Sequence, residues 1–262
     1  MNRDSKSKYG QWAVVAGASE GLGAAFATAL ARRGHDLLLL ARRRDVLTEL
    51  GRDLEAKHRV TVHTLACDLA DPRFADALQG ASAGLDIGIA VYNAAYSFVG
   101  PLLDRPLEEA LKVVDVNVRG PLRFVHALAP GMVERKRGAV VLMSSVAGFQ
   151  GAPKLSAYAA SKAFNIVLGE SLWAELKPRG VDVVVSCAGA IRTPNYLRTS
   201  QKKEAPGTLS PEAVAETTLA SLGSGPLVVP GAVNKIATFL LGRILTRGGV
   251  VSVMGKASSG LS

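Results

Sequence analysis

The feature that most restricts this chain is a set of short runs apolar on consecutive residues, such as Leu37–Leu40 and Val183–Val185. Successive strand side chains point to opposite faces, so a strand with one wet face alternates apolar and polar residues. A run without alternation needs cover on both faces, which a parallel sheet between helices supplies. Strands are read at Trp12–Ala16, Asp36–Ala41, Val60–Ala66, Asp86–Asn93, Ala139–Ser144, Val181–Cys187 and Leu227–Val229. Helical patterns separate them: an Ala-rich one from Leu22 to Arg33 that Gly34 ends, a charged one to Lys57, and a short one around Phe74–Leu78. Two long ones follow, at Pro106–Arg135 and Ala157–Lys177. The alternation of strand and helix continues without a linker-like break. The expectation is α/β: a single-domain, doubly wound parallel sheet of about seven strands with helices on both faces.

Composition narrows the partners. Of 262 residues, 48% are hydrophobic and 20% charged, which suits a core of ordinary size. The net charge of +9 comes from scattered short runs, Arg32-Arg33, Arg42–Arg44, Arg135–Arg137 and Lys202-Lys203, which read as solvated faces. Aromatic residues make up 5%, too few for a base-stacking platform, so no nucleic-acid partner is expected. Cys67 and Cys187 end apolar runs and read as buried thiols, with neither a disulfide framework nor metal-ligand spacing. None of the four histidines sits in a nucleophile motif. Residues 1–10 are polar and read as a flexible tail before a domain spanning 11–262, and no stretch reaches the roughly 18 apolar residues of a membrane span. A cytoplasmic protein is expected.

Two regions stay irregular. Residues 192–211, with Pro194, Pro206, Gly207 and Pro211, read as a substrate loop, because long loops in compact domains usually carry function. Residues 231–262 form a helical, apolar extension, in which Asn234–Arg247 reads as one amphipathic helix with Ile236, Phe239, Leu240 and Ile244 on its apolar side. A pocket lid or subunit contact is favoured there over contact with a membrane surface.

Chemistry first enters at Gly17-Ala18-Ser19-Glu20-Gly21-Leu22-Gly23, between the first strand and its helix. Gly17 permits a sharp turn, Gly21 removes a Cβ where a pyrophosphate must approach, and Gly23 lets the helix pack closely. The helix N-terminus then offers free N–H groups to phosphate. A nucleotide site in a Rossmann-like fold follows. Tyr158 and Lys162, four residues apart, share one helix face. A phenol is a proton donor for a carbonyl that takes up hydride, and an ammonium nearby stabilises its phenolate. Ser144-Ser145 end the central strand, and a serine hydroxyl there can hold a developing oxyanion.

The glycine spacing, the Ser–Tyr–Lys set and several further segments together resemble the short-chain dehydrogenase/reductase family, over about Gln11–Pro230. The resemblance implies NADP(H)-dependent hydride transfer between a carbonyl and an alcohol. Ser145, 13 residues before Tyr158, matches the catalytic serine, and Ser144 is its structural neighbour. Asn117 matches a helical asparagine that holds a water in a proton relay reaching Lys162, which also binds the nicotinamide ribose with Tyr158 beside it. Ser19, Glu20 and Leu22 join the three glycines in binding cofactor. Arg42, followed by Arg43, stands where an arginine marks preference for the 2′-phosphate of NADP, although Glu20 occupies a place often basic in NADP enzymes. Asp68-Leu69 matches the pair that contacts adenine. Tyr92-Asn93-Ala94-Ala95 corresponds to an NNAG turn altered at both ends. Gly189, Ile191 and Thr193 match a PGxVxT segment in which Ala188 replaces the proline and should loosen the loop.

Asp86–Ile89 is similar to steroid and long-chain ketoacyl reductases of the family. The implied partner is a small, apolar carbonyl or alcohol. The two long helices imply a homodimer or homotetramer. The competing reading is a non-catalytic NADP(H) sensor that recruits a protein, although relatives of that kind usually lose part of the catalytic set.

Overall fold

A computed structural model describes residues 4–199 and 204–258. Seven strands form one parallel sheet: β1 (Trp12–Ala16), β2 (Asp36–Ala41), β3 (Val62–Ala66), β4 (Ile87–Tyr92), β5 (Gly138–Ser145), β6 (Val181–Ala188) and β7 (Leu227–Val228). Their order is β3-β2-β1-β4-β5-β6-β7. The helices are α1 (Asp4–Tyr9), α2 (Gly21–Arg32), α3 (Arg44–His58), α4 (Phe74–Ser82), α5 (Leu107–Val114), α6 (Gly120–Glu134), α7 (Ser156–Leu176), α8 (Pro194–Thr199), α9 (Pro211–Ala220), α10 (Ala232–Ile244) and α11 (Arg247–Ser258).

The unbroken apolar runs are explained by two cores. Leu37 and Leu39 point into one layer with Val15, Val141 and Val184, under Phe26 of α2, Leu47 of α3 and Val214 of α9. Leu38 and Leu40 point into the other with Val14, Val140 and Val183, over Leu78 of α4, Phe124 of α6 and Ile166 of α7. All four leucines of β2 are at most 1% exposed. Each contributes about 2 kcal/mol of burial, on either face of the sheet. Edge strand β3 is different, with His63 and Thr64 exposed, as one uncovered side allows.

Four expectations need correction. The N-terminal segment is not a loose tail over its described part. Tyr9 is buried, its hydroxyl donates to Asp182 (2.8 Å), Lys8 pairs with the same carboxylate (3.1 Å), and these contacts anchor α1. The segment Pro106–Arg135 is not one regular helix, because a π turn at Asp115–Arg119 separates α5 from α6. The amphipathic helix expected at Asn234–Arg247 ends at Ile244; Leu245 is extended, and α11 starts at Arg247 with Gly249 N–H donating to the Thr246 hydroxyl (3.2 Å). The loop 192–211 is more ordered than expected where described, with α8, an Ile191–Leu209 bridge and an Arg192–Glu204 ion pair. Residues 1–3, 200–203 and 259–262, including the basic pair Lys202-Lys203, lie outside the described residues.

Strand order reverses between β1 and β4, whose neighbours run in opposite directions across the sheet. The crevice beyond the C-terminal ends of such strands is the usual ligand position of open α/β sheets.

Candidate active site

At that crevice the segments after β1, β2, β3, β4, β5 and β6 enclose a cavity of about 1430 Å³. The glycine turn forms its floor. Asn93 and Ala94 donate backbone N–H groups to Ala16 O (3.1 Å each), and the Asn93 amide donates to Gly17 O (3.1 Å). Helix α2 is then held close: a Cβ on Gly23 would lie 1.9 Å from Gly17 O. Gly23 therefore shapes the turn from beneath, while Gly17, Ser19, Glu20, Gly21 and Leu22 face the cavity. Residue Glu20 stands at the N-cap of α2 and makes no side-chain cap, so no side chain closes the first-turn N–H groups. Those donors and the helix dipole suit the pyrophosphate of a dinucleotide.

Arg42, Arg43, Asp68 and Leu69 line one end. Arg43 pairs with Glu20 (2.8 Å) and donates to Ser19 Oγ (3.2 Å), which neutralises the acid that stands in the glycine turn. Arg42 is exposed and takes part in no ion pair among the described residues. Asp68 caps its own turn by accepting from Ala70 N–H (3.0 Å), leaving its second oxygen for other contacts. Thr193 reaches across from β6, so that a Cβ on Gly21 would meet its methyl at 3.1 Å. Gly189 and Ile191 line the same wall. The loop that Ala188 should loosen is tied down by buried Asn234, whose amide donates to Gly207 O and Pro230 O (3.0 Å each).

Ser145, Tyr158 and Lys162 converge on the opposite wall. β5 and α7 are clamped by two bonds: Ser144 Oγ donates to Lys162 O (2.7 Å), and Lys162 Nζ donates to Met143 O (2.9 Å). Ser144 is thus structural, while Ser145 lines the cavity with Tyr158 and accepts from Ala147 N–H (3.2 Å). Lys162 is only 2% exposed, and its Nζ lies 5.5 Å from the Tyr158 ring centre. Burial pulls its pKa down to about 8, against a smaller opposing effect of Cys187. Tyr158 also departs from expectation: burial raises its pKa, and the influence of the Ser145 hydroxyl offsets this only in part. Desolvation of the phenol outweighs stabilisation of the phenolate in this cavity.

Asn117, expected in a proton relay, does not line the cavity. Its Oδ1 accepts from Tyr96 N–H (2.8 Å), and its Nδ2 donates to Tyr96 O (2.9 Å) and Ser161 Oγ (3.0 Å). These bonds tie the helix to the segment after β4 and to α7. Two carbonyls of the π turn are bonded by side chains: Val116 O accepts from Tyr92 Oη (2.6 Å) and Asn117 O from Asn165 Nδ2 (3.1 Å). Tyr92, which departs from the NNAG pattern, therefore secures the turn that carries Asn117. Its only sequence signal was one polar group ending an apolar run.

A family model described as short chain dehydrogenase matches residues 11–204. The chain belongs to the short-chain dehydrogenase family. This short-chain dehydrogenase is 35% identical over 214 residues to a very-long-chain 3-oxoacyl-CoA reductase of Phaeosphaeria nodorum, covering 77% of this chain and 63% of that protein. It thus spans less than two thirds of that reductase. It is 31% identical to a 7beta-hydroxysteroid dehydrogenase of Clostridium sardiniense, over 88% of this chain and 89% of the relative. Among solved structures, one from a study of 7beta-hydroxysteroid dehydrogenase stereoselectivity superposes with a TM-score of 0.90 at 29% identity, over 97% of this chain and 99% of that one. A short-chain dehydrogenase from Sphingobium yanoikuyae in complex with NADPH follows at 0.77 and 28%, over 90% and 96%.

Proposed function

We propose that this short-chain dehydrogenase is an NADP(H)-dependent oxidoreductase that interconverts a ketone or aldehyde with its alcohol. The observation that carries this reading is the convergence of Ser145, Tyr158 and Lys162 on one wall of the cavity whose floor is the glycine turn. The hydride for the carbonyl carbon would come from a reduced nicotinamide bound there. Tyr158 gives its phenolic proton to the carbonyl oxygen, and the product is an alcohol. Burial favours this direction, because a raised pKa keeps the phenol protonated near neutrality. Ser145 donates a hydrogen bond to the same oxygen as its charge grows, and the Lys162 ammonium stabilises the phenolate left behind. Uncapped N–H groups of α2 would hold the pyrophosphate, Lys162 the ribose, and unpaired Arg42 the 2′-phosphate. Ile191 and Thr193 hold the carboxamide. The NADPH complex of the Sphingobium yanoikuyae relative supports this choice of cofactor.

Loop 192–211 and α11 would then enclose the substrate, since Tyr196 and Met254 both line the cavity. Exposed Leu107 and Leu111 on α5 and Val167 on α7 support association of two copies through the long helices. The reading is tested by NADPH consumption with a panel of ketones, aldehydes, steroids and ketoacyl thioesters, with Tyr158→Phe alongside. Turnover should fall by at least about a hundredfold in the variant while NADPH binding persists. Equal turnover by the two proteins would remove Tyr158 from the chemistry.

A further inference from the structure

We propose that the substrate is a carbonyl compound with an apolar body and an anionic end, and that Lys112 selects that charge; this rests on the carbonyl-reducing reading above. Most cations that line the cavity are already engaged. Arg43 pairs with Glu20, Arg105 binds Glu109 through two bonds of 2.9 Å, Arg198 lies 3.8 Å from Glu20, and Lys162 donates to Met143 O. Among the described residues, Arg42 and Lys112 enter no ion pair. Arg42 stands at the end of β2, where the 2′-phosphate is assigned. Lys112 lies on α5, away from the glycine turn, and no phosphate of the cofactor accounts for it.

Lys112 is half-buried and lines the cavity with Val116, one turn further along the same face. Its Nζ lies 5.0 Å from the centre of the Tyr96 ring. Both backbone polar groups of Tyr96 are bonded by Asn117, so the main chain that carries the ring is held. A ring face leaves the N–H donors of an ammonium free for an anion. The carboxylates that line this cavity are Glu20 and Asp68, both at the cofactor end. Among the described residues, the substrate end therefore has a half-buried cation and no acid in its lining, which also includes the apolar side chains of Phe98, Leu155 and Met254. An anion placed there meets an attraction stronger than at an open surface. Carboxylate and phosphate share the required chemistry.

The test compares a keto fatty acid, its methyl ester and the matching ketoacyl-phosphopantetheine thioester, with wild type and Lys112→Gln. Wild type should prefer one of the anionic substrates over the ester by about tenfold in kcat/KM, chiefly through KM. The preferred one identifies carboxylate or phosphate as the natural end. That ratio should approach one in Lys112→Gln and shrink in wild type as salt rises. An unchanged ratio, or equal loss for ester and anions, would overturn the assignment. Binding of the corresponding hydroxy compounds to the NADPH-loaded protein, read by quenching of NADPH fluorescence, decides the matter whichever ketones turn over. Ester bound as tightly as both anions overturns the proposal. Anion selectivity in binding with no Tyr158-dependent turnover instead overturns the carbonyl-reducing reading.

Discussion

The two ends of the cavity are built by different means. At the cofactor end the walls are strand termini and backbone: Gly17 and Gly21 after β1, Arg42 after β2, Asp68 after β3, Asn93 and Ala94 after β4. Their relative positions follow from the register of one sheet, in which Ala16 pairs with Leu40 on one side and with Tyr92 on the other. At the substrate end the walls are side chains from distant segments: Tyr96 and Phe98 after β4, Lys112 on α5, Tyr196 on α8 and Met254 on α11. No shared register positions them. The first end tolerates little change and constrains residue type; the second is adjustable, which suits the part of an oxidoreductase that differs between substrates.

The strongest attempt to break this contrast is Gly23→Ala. The new Cβ would meet Gly17 O at 1.9 Å and the Asn93 amide nitrogen at 2.8 Å, neither of which can yield without moving the turn. The expected loss is about 3 kcal/mol of stability, a fall in Tm of roughly 10 °C, together with most NADPH binding. Calorimetry and NADPH titration check both. Wild-type values would mean that the turn is not set by backbone contact.

Lys162→Met probes the catalytic wall that joins the two ends. Burial lowers the Lys162 pKa from 10.5 to about 8, so below pH 8 both folded and unfolded chains carry the proton. The displacement corresponds to about 3 kcal/mol of desolvation opposing the folded state there. As pH rises from 8 to 10.5 the unfolded chain holds the proton longer, and this opposition disappears. Lys162→Met should therefore stabilise the protein by about 2 kcal/mol at pH 7, once the lost bond to Met143 O is deducted. The gain should shrink as pH rises through 8, and turnover should fall by at least about a hundredfold. Urea unfolding at pH 7 and pH 9.5 (roughly midway through that window) measures it; a variant no more stable than wild type at pH 7 would show that the folded protein accommodates the ammonium without strain.

How far the sequence could be read follows the same division. Leu37–Leu40 announced a strand covered on both faces because the period of side-chain direction is two, and the two cores divide those leucines accordingly. Gly17, Gly21 and Gly23 were legible because a phosphate turn needs missing Cβ atoms at fixed spacing. The π turn was not, since nothing in Asp115–Arg119 tells a π turn from an α turn, and the side chains that bond its carbonyls, Tyr92 and Asn165, come from elsewhere in the chain. Lys112 was illegible for a related reason. On sequence it is one more exposed lysine of an amphipathic helix, and only the fold sets it over Tyr96. The role expected for Asn117 came from the resemblance, whereas its bonds to Tyr96 and Ser161 join segments far apart in sequence and show only in the fold.

The finest test of the contrast is Arg42→Ser, at a cofactor-end contact made by a flexible side chain rather than by backbone. Arg42 is exposed, so its bond to a 2′-phosphate is charge-assisted yet partly screened by solvent and salt. The ratio of kcat/KM for NADPH over NADH should fall by about tenfold, almost wholly through the KM for NADPH. Arg43 offers no replacement, being already held by Glu20 and Ser19. If the ratio survives Arg42→Ser but collapses in Arg43→Ser, the Glu20 pair opens when cofactor binds and the second arginine reads the phosphate. That result would move the adjustable boundary of the site into the glycine turn itself.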